Sequence, residues 1–136
     1  MMISTRGRYA LRVMIELAEQ SKGQYIPMKE IAEHQKISLK YLEKILPALA
    51  KNGLIEGVHG KGGGYKLTRE PKEYRVGEIL RLTEGDIAPV ACLECNAEPC
   101  QLTADCRTRP MWEKLDKIIN DYFDGITIAD LMKKQY

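Results

Sequence analysis

The sequence predicts a mainly α-helical chain that carries one small β-hairpin and ends in a long helix. Three observations predict it. Two helix-forming patterns lie a few residues apart between Pro27 and Asn52, a glycine run from Gly60 to Gly64 separates two short apolar segments, and an apolar stripe recurs at helical spacing from Trp112 to Phe123. With 136 residues, 44% of them hydrophobic, the chain can bury a core but is short for two independent ones.

Ser4 or Thr5 can cap a first helix, in which Tyr9, Val13, Met14, Leu17 and Ala18 share one side while Arg6, Arg8, Arg12, Glu16 and Glu19 fall elsewhere. Its end is expected near Ser21, Lys22 and Gly23. Pro27 can open a second helix with Ile31 and Ala32 facing inward, and Lys36-Ile37 leads to Ser38, a good N-cap for a third. The third helix runs from about Leu39 to Asn52 and is expected to bury Leu39, Leu42, Ile45, Leu46 and Leu49, with Gly53 as its left-handed terminus. Pro47 lies inside it, where proline removes a backbone donor and crowds the carbonyl of Glu43, so a kink or local break is expected.

Leu54 to Val58 reads as a strand, Gly60 to Gly64 as a flexible turn, and Tyr65 to Leu67 as the return strand. Helix, turn, helix and glycine-tipped hairpin, in that order, describe a winged helix-turn-helix over residues 1-75. That arrangement pairs a recognition helix with a wing able to follow a sugar-phosphate backbone. Ser38, Lys40, Tyr41, Glu43 and Lys44 lie in the early turns of the recognition helix, off its apolar stripe. Ser38 and Tyr41 suit phosphates or base edges, the lysines suit phosphates, and Glu43 can accept from a cytosine amino group. In the wing, His59, Gly60, Lys61, Gly62 and Gly63 allow close backbone approach with polar or cationic contacts, and Lys66 adds a charge.

Residues 76-136 read as a sensor and dimerisation region. Val76 to Thr83 forms a short helix closed by Glu84-Gly85, and the loop 88-107 has no hydrophobic period. Thr108 and Pro110 then open a helix over 108-124 whose Trp112, Leu115, Ile118, Ile119, Tyr122 and Phe123 make one wide stripe. Since the first unit has its own core, the stripe is expected to meet a second copy in a homodimer. Thr127 is placed to cap a final turn through Leu131.

Net charge is +2, but it is divided: residues 1-75 hold 14 Lys and Arg against 8 Asp and Glu, and residues 76-136 hold 7 against 11. A basic first half suits a polyanion. Charges at Arg6, Arg8, Arg12 and Glu16 interrupt any leader-like apolar stretch, and no membrane span is visible, so a cytoplasmic protein is expected. All four cysteines fall in the loop, spaced Cys92-x2-Cys95-x4-Cys100-x5-Cys106. In a reducing compartment that clustering points to metal or redox chemistry rather than disulfides. One close pair followed by wide steps suits an iron-sulfur cluster wrapped by a loop, while zinc and a thiol switch stay open. An enzyme is not expected: no phosphate-cradling motif is present, His34 and His59 lie far from the cysteines in the chain, and no small-molecule substrate is indicated.

The segments Ile3-Ser4-Thr5-Arg6-Gly7-Arg8-Tyr9-Ala10, Ile37-Ser38-Leu39-Lys40-Tyr41-Leu42-Glu43, Lys51-Asn52-Gly53-Leu54 and Gly60-Lys61-Gly62-Gly63-Gly64-Tyr65 closely resemble the Rrf2 family, the bacterial winged-helix regulators that include IscR, NsrR, RirA and CymR. The resemblance covers about residues 1-132 and is nearest to the IscR branch. It implies homodimers on partly palindromic double-stranded DNA operators, the long C-terminal helix crossing its mate, and gene control tied to iron-sulfur supply, nitric oxide, iron or cysteine status. It also implies Cys92, Cys100 and Cys106 as ligands of a 2Fe-2S cluster, with 4Fe-4S or zinc as alternatives. This sequence departs from the pattern at the fourth ligand. Arg109 stands where IscR has a histidine, Arg8 stands where NsrR-like proteins have an acid, and the step from Cys92 to Cys100 is longer than in IscR. Cys95, a partner-chain group or an exogenous ligand is then the fourth. CymR-like members lack a cluster and act through a partner protein, which is the competing reading.

Overall fold

The computed structural model describes residues 2-20 and 23-136. Its elements, in chain order, are α1 (Thr5–Gln20), α2 (Met28–Gln35), α3 (Leu39–Lys51), β1 (Ile55–Val58), β2 (Gly64–Leu67), α4 (Val76–Glu84), α5 (Arg109–Asp124) and α6 (Ile128–Lys133), with 3-10 turns at Pro71–Glu73 and Ala91–Leu93. The end expected for the first helix at Ser21 and Lys22 lies outside the described residues.

Ser4 stands immediately before α1, its carbonyl accepting from the Arg8 amide. Pro27 occupies the N-cap of α2, and Lys36 closes that helix in the left-handed region at φ 54°. Ile37 drops into the core, and Ser38 starts α3 by accepting the Tyr41 amide at 3.1 Å. Gly53, at φ 76°, follows α3.

Three expectations are corrected here. The local break is absent, since α3 continues from Leu39 to Lys51 through Pro47. Pro47 and Glu43 both lie on the exposed side, so water can take the carbonyl lone pairs that proline leaves unbonded. Leu39, the first residue of α3, is 46% exposed rather than buried. Glu16, placed by pattern off the apolar face, is buried, and its carboxylate bonds His34 Nδ1 and Gln35 Nε2 at the end of α2. Paired in this way, a buried carboxylate is tolerable. The same bond holds the half-exposed His34 imidazole above its usual pKa.

β1 and β2 pair antiparallel, Ile55 opposite Leu67 and Val58 opposite Gly64, and Ile26 exchanges backbone bonds with Tyr65 at 2.8 and 2.9 Å. The wing is thereby fixed to the segment that opens α2. A Cβ on Gly63 or Gly64 would strike the Val58 or Ile26 carbonyl, so the hairpin needs glycine at both.

One apolar cluster joins Ala10, Val13, Met14 and Leu17 of α1 to Ile31, Leu42, Ile45, Leu46 and Leu49, and it also takes in Tyr74, Ile79 and Ile128. Regions 1-75 and 76-136 therefore share a core. Tyr74 ties them: its hydroxyl donates to the Leu54 carbonyl at 2.6 Å and accepts the Thr68 and Arg69 amides, each at 3.0 Å, while its backbone carbonyl accepts the Ile128 amide at 3.1 Å. A second cluster of Val76, Leu80, Ile87 and Ile126 receives Ile119 and Phe123 of α5. Arg81 locks α4 to α5 through both Asp124 carboxylate oxygens and Asn120. Thr127 and Asp130 cap α6 reciprocally.

Candidate nucleic-acid interface and cysteine loop

The stripe that seats α3 decides which side chains it presents. Burial of Leu42, Ile45, Leu46 and Leu49 leaves Lys40, Glu43 and Lys44 exposed on the opposite face, with Ser38 exposed at the helix start. Tyr41 is different. It is half-buried, edge-on to Tyr9 with ring centroids 5.2 Å apart, and the Arg12 guanidinium lies over Tyr9 at 5.1 Å. Arg12 in turn bonds the Gln35 carbonyl and side chain at the end of α2. The chain of Gln35, Arg12, Tyr9 and Tyr41 fixes α1, α2 and α3 against each other, and nothing in the spacing of the sequence announced it.

In the wing, His59, Gly60, Lys61 and Gly62 are exposed and Gly63 is half-buried. Lys66 is not a free cation: it pairs with Glu56 at 3.2 Å and lies over the Tyr25 ring. The exposed lysines, serine and acid of α3 and the polar, glycine-rich wing tip are suited to a hydrated polyanion.

The loop from Ala88 to Arg107 has a single 3-10 turn, at Ala91–Leu93, which carries Cys92. All four thiols are unpaired, Cys95 and Cys100 exposed and Cys92 and Cys106 half-buried. Among the described residues no group of three Cys, His, Asp or Glu side chains is gathered as a metal site. The donor set itself suits a soft metal or an iron-sulfur cluster. Cys106 lies just before α5, where the Thr108 hydroxyl and the Thr108 and Arg109 amides hold its thiol below the ordinary value. The Asp86 carboxylate pushes the Cys95 thiol the other way. Arg109 is engaged by Glu113 at 2.9 Å, within α5.

α5 has two apolar faces. Ile119 and Phe123 pack, half-buried, against the chain's own second cluster, and Trp112 is half-buried. Met111, Leu115, Ile118 and Tyr122 lie along the other face, Ile118 64% and Tyr122 56% exposed.

Residues 3–134 match a family described as the iron-dependent transcriptional regulator Rrf2. The chain belongs to the Rrf2 family. It is 35% identical over 135 residues to the transcriptional regulator IscR of Serratia proteamaculans, covering 99% of this chain and 81% of that protein. IscR of Aliivibrio salmonicida is also 35% identical, over 97% of this chain and 77% of its own length. Among solved structures, CymR, titled the global cysteine regulator of B. subtilis, superposes with a TM-score of 0.82 at 33% identity, covering 98% of each chain. IscR of T. potens gives 0.77 at 34% identity, covering all of this chain and 89% of that one. This Rrf2 protein is thus a DNA-binding transcription regulator of winged-helix type and not an enzyme. No helix among the described residues is long and apolar enough to cross a membrane.

Proposed function

We propose that this Rrf2 protein is a cytoplasmic homodimer that binds a partly palindromic operator and changes its operator preference with the state of an iron-sulfur cluster in the loop 88-107. Cys92, Cys100 and Cys106 hold the cluster, 2Fe-2S in the first instance, and Cys95 is the candidate fourth ligand in place of the histidine that Arg109 displaces. The observation that carries this reading is four unpaired thiols on one loop that leads into α5, the helix with an unpartnered apolar face. A second copy is the occupant of that face: Met111, Leu115, Ile118 and Tyr122 repeat every three or four residues, so a two-fold axis can lay the stripe against itself. A cluster supplies the loop with a gathered, rigid state, and the chain's own residues do the rest. Ser38, Lys40, Tyr41, Glu43 and Lys44, with the wing residues His59, Gly60, Lys61, Gly62 and Gly63, meet the duplex.

Anaerobic purification followed by absorption and iron and sulfide analysis tests the cluster. Iron with matching sulfide supports it, while zinc or an empty, colourless protein supports a cluster-free regulator controlled by a partner protein. The likeness to the CymR structure favours that second reading.

Phosphate contacts release condensed counterions, so operator affinity falls steeply with salt, by about 10³-fold or more between 50 and 200 mM if roughly six phosphates are neutralised. Fluorescence anisotropy on a duplex checks it. Affinity that holds constant over that range would remove the assigned face. On the same surface, Glu43 is an acid among lysines. Glu43→Ala broadens operator choice, lowering discrimination at one base pair by about 10-fold, without loss of overall affinity. Uniformly weaker binding to every sequence would make Glu43 a support of the fold instead.

A further inference from the structure

A short turn at the end of α4, Glu84-Gly85-Asp86, contacts both the cysteine loop and the start of α1. One Asp86 carboxylate oxygen accepts the Ala88 amide at 2.7 Å, and the other accepts the Cys95 amide, also at 2.7 Å. The second bond spans nine residues and grips the loop between Cys92 and Cys100. Two positions earlier, Glu84 Oε1 accepts both the backbone amide of Ser4, at 3.0 Å, and its hydroxyl, at 2.6 Å. Glu84 also lies so close to Gly7 that any side chain there would strike it, so the carboxylate is seated directly on the first turn of α1. Gly85 joins the two acids at φ 80°, in a conformation that side chains rarely adopt. The loop and the start of α1 are held by neighbouring carboxylates on a single turn, with one glycine between them.

We propose that this turn is a mechanical link: Asp86 holds the loop, Glu84 holds the N-terminus of α1, and rearrangement of the loop is passed to α1 through them. α1 carries Tyr9 and Arg12, which buttress Tyr41 of the recognition helix and the end of α2. A shift at the first turn of α1 therefore reaches the DNA-facing side without passing through the α5 contact. Asp86 and Glu84 are positioning residues, and neither needs to touch a ligand or DNA. The role of the link in sensing rests on the cluster reading proposed above.

Hydrogen-deuterium exchange of the full chain, read by mass spectrometry, tests the link without any metal. In the metal-free protein, Asp86→Ala removes the acceptor of the Cys95 amide, and exchange rises about tenfold both in the loop and at the amides of Ser4 to Arg8, while α3 core amides keep their rates. Asp86→Asn keeps one acceptor oxygen and gives a smaller change in the same two places. Faster exchange in the loop alone would overturn the link, and so would a general rise that includes α3, which would mean simple destabilisation. Glu84→Ala is the reciprocal case: it removes the acceptor of the Ser4 amide and hydroxyl, so α1 loosens while the loop bond of Asp86 stays.

Iron and sulfide analysis of the wild-type protein separates the two ideas. If no cluster assembles, the sensing role falls and the Asp86→Ala exchange still decides the link. If one assembles, exchange at Ser4 to Arg8 differs between loaded and stripped wild-type protein and the difference is lost in Glu84→Ala; its survival there would overturn the link.

Discussion

Ile118→Asp is expected to convert the proposed dimer to folded monomers. Ile118 is 64% exposed in the single chain and faces no part of its own core, so the charge costs the isolated fold little. In a two-fold interface the same substitution buries two unpaired carboxylates, one from each copy, at about 2 kcal/mol or more apiece. The dimer dissociation constant then rises by at least about 10³-fold. Light scattering reads the mass and circular dichroism confirms the fold. Operator affinity should fall with it, since two half-sites can no longer be engaged together. Ile119→Asp is the contrast: Ile119 packs on Val76, Leu80, Ile87 and Ile126, so its substitution should unfold the region. An Ile118→Asp protein that stays dimeric would remove α5 as the interface.

The second large effect lies in the loop. Replacing Cys92, Cys100 or Cys106 with serine, one at a time, should abolish visible cluster absorption, since each removes a thiolate that the others cannot supply. Cys95→Ser discriminates between fourth ligands. A changed or labile spectrum assigns the fourth thiolate to Cys95, and an unchanged one assigns it to another group. Loss of the cluster should change operator preference, because the loop is continuous with α5 and a small displacement there moves both recognition helices relative to each other. Removing iron by chelation with no change in affinity for any operator would defeat the sensor reading.

The sequence by itself determined the local part of this fold. Periodicity placed α1 to α5 and the hairpin, and a cap placed the final turn that became α6, because each rule involved is short-range: Ser38 and Thr127 cap, Lys36-Ile37 turns, Gly53 and Gly85 terminate, and glycines fill the wing tip. It also carried the family, through residues at α1, α3 and the wing whose identities are set by local chemistry. The candidate DNA face was legible for the same reason, since the buried stripe of α3 fixes what lies opposite.

Tertiary structure decided what depended on partners distant in the chain. Glu16 looks like a surface acid until His34 and Gln35 fold over it, and Lys66 looks free until Glu56 pairs across the hairpin. Tyr41 reads as a freely presented side chain, but Tyr9 packs on its edge and leaves it half-buried. The α5 stripe reads as one face, but α4 takes Ile119 and Phe123 and leaves Ile118 and Tyr122 outside. The grip of Asp86 on Cys95 and of Glu84 on Ser4 has no periodic signature at all, since the bonds span nine and eighty residues and form only once α4 has packed on α1 and the loop has folded back on its turn. Side-chain period reports which way a residue points along its own element, and only packing decides what stands there to meet it.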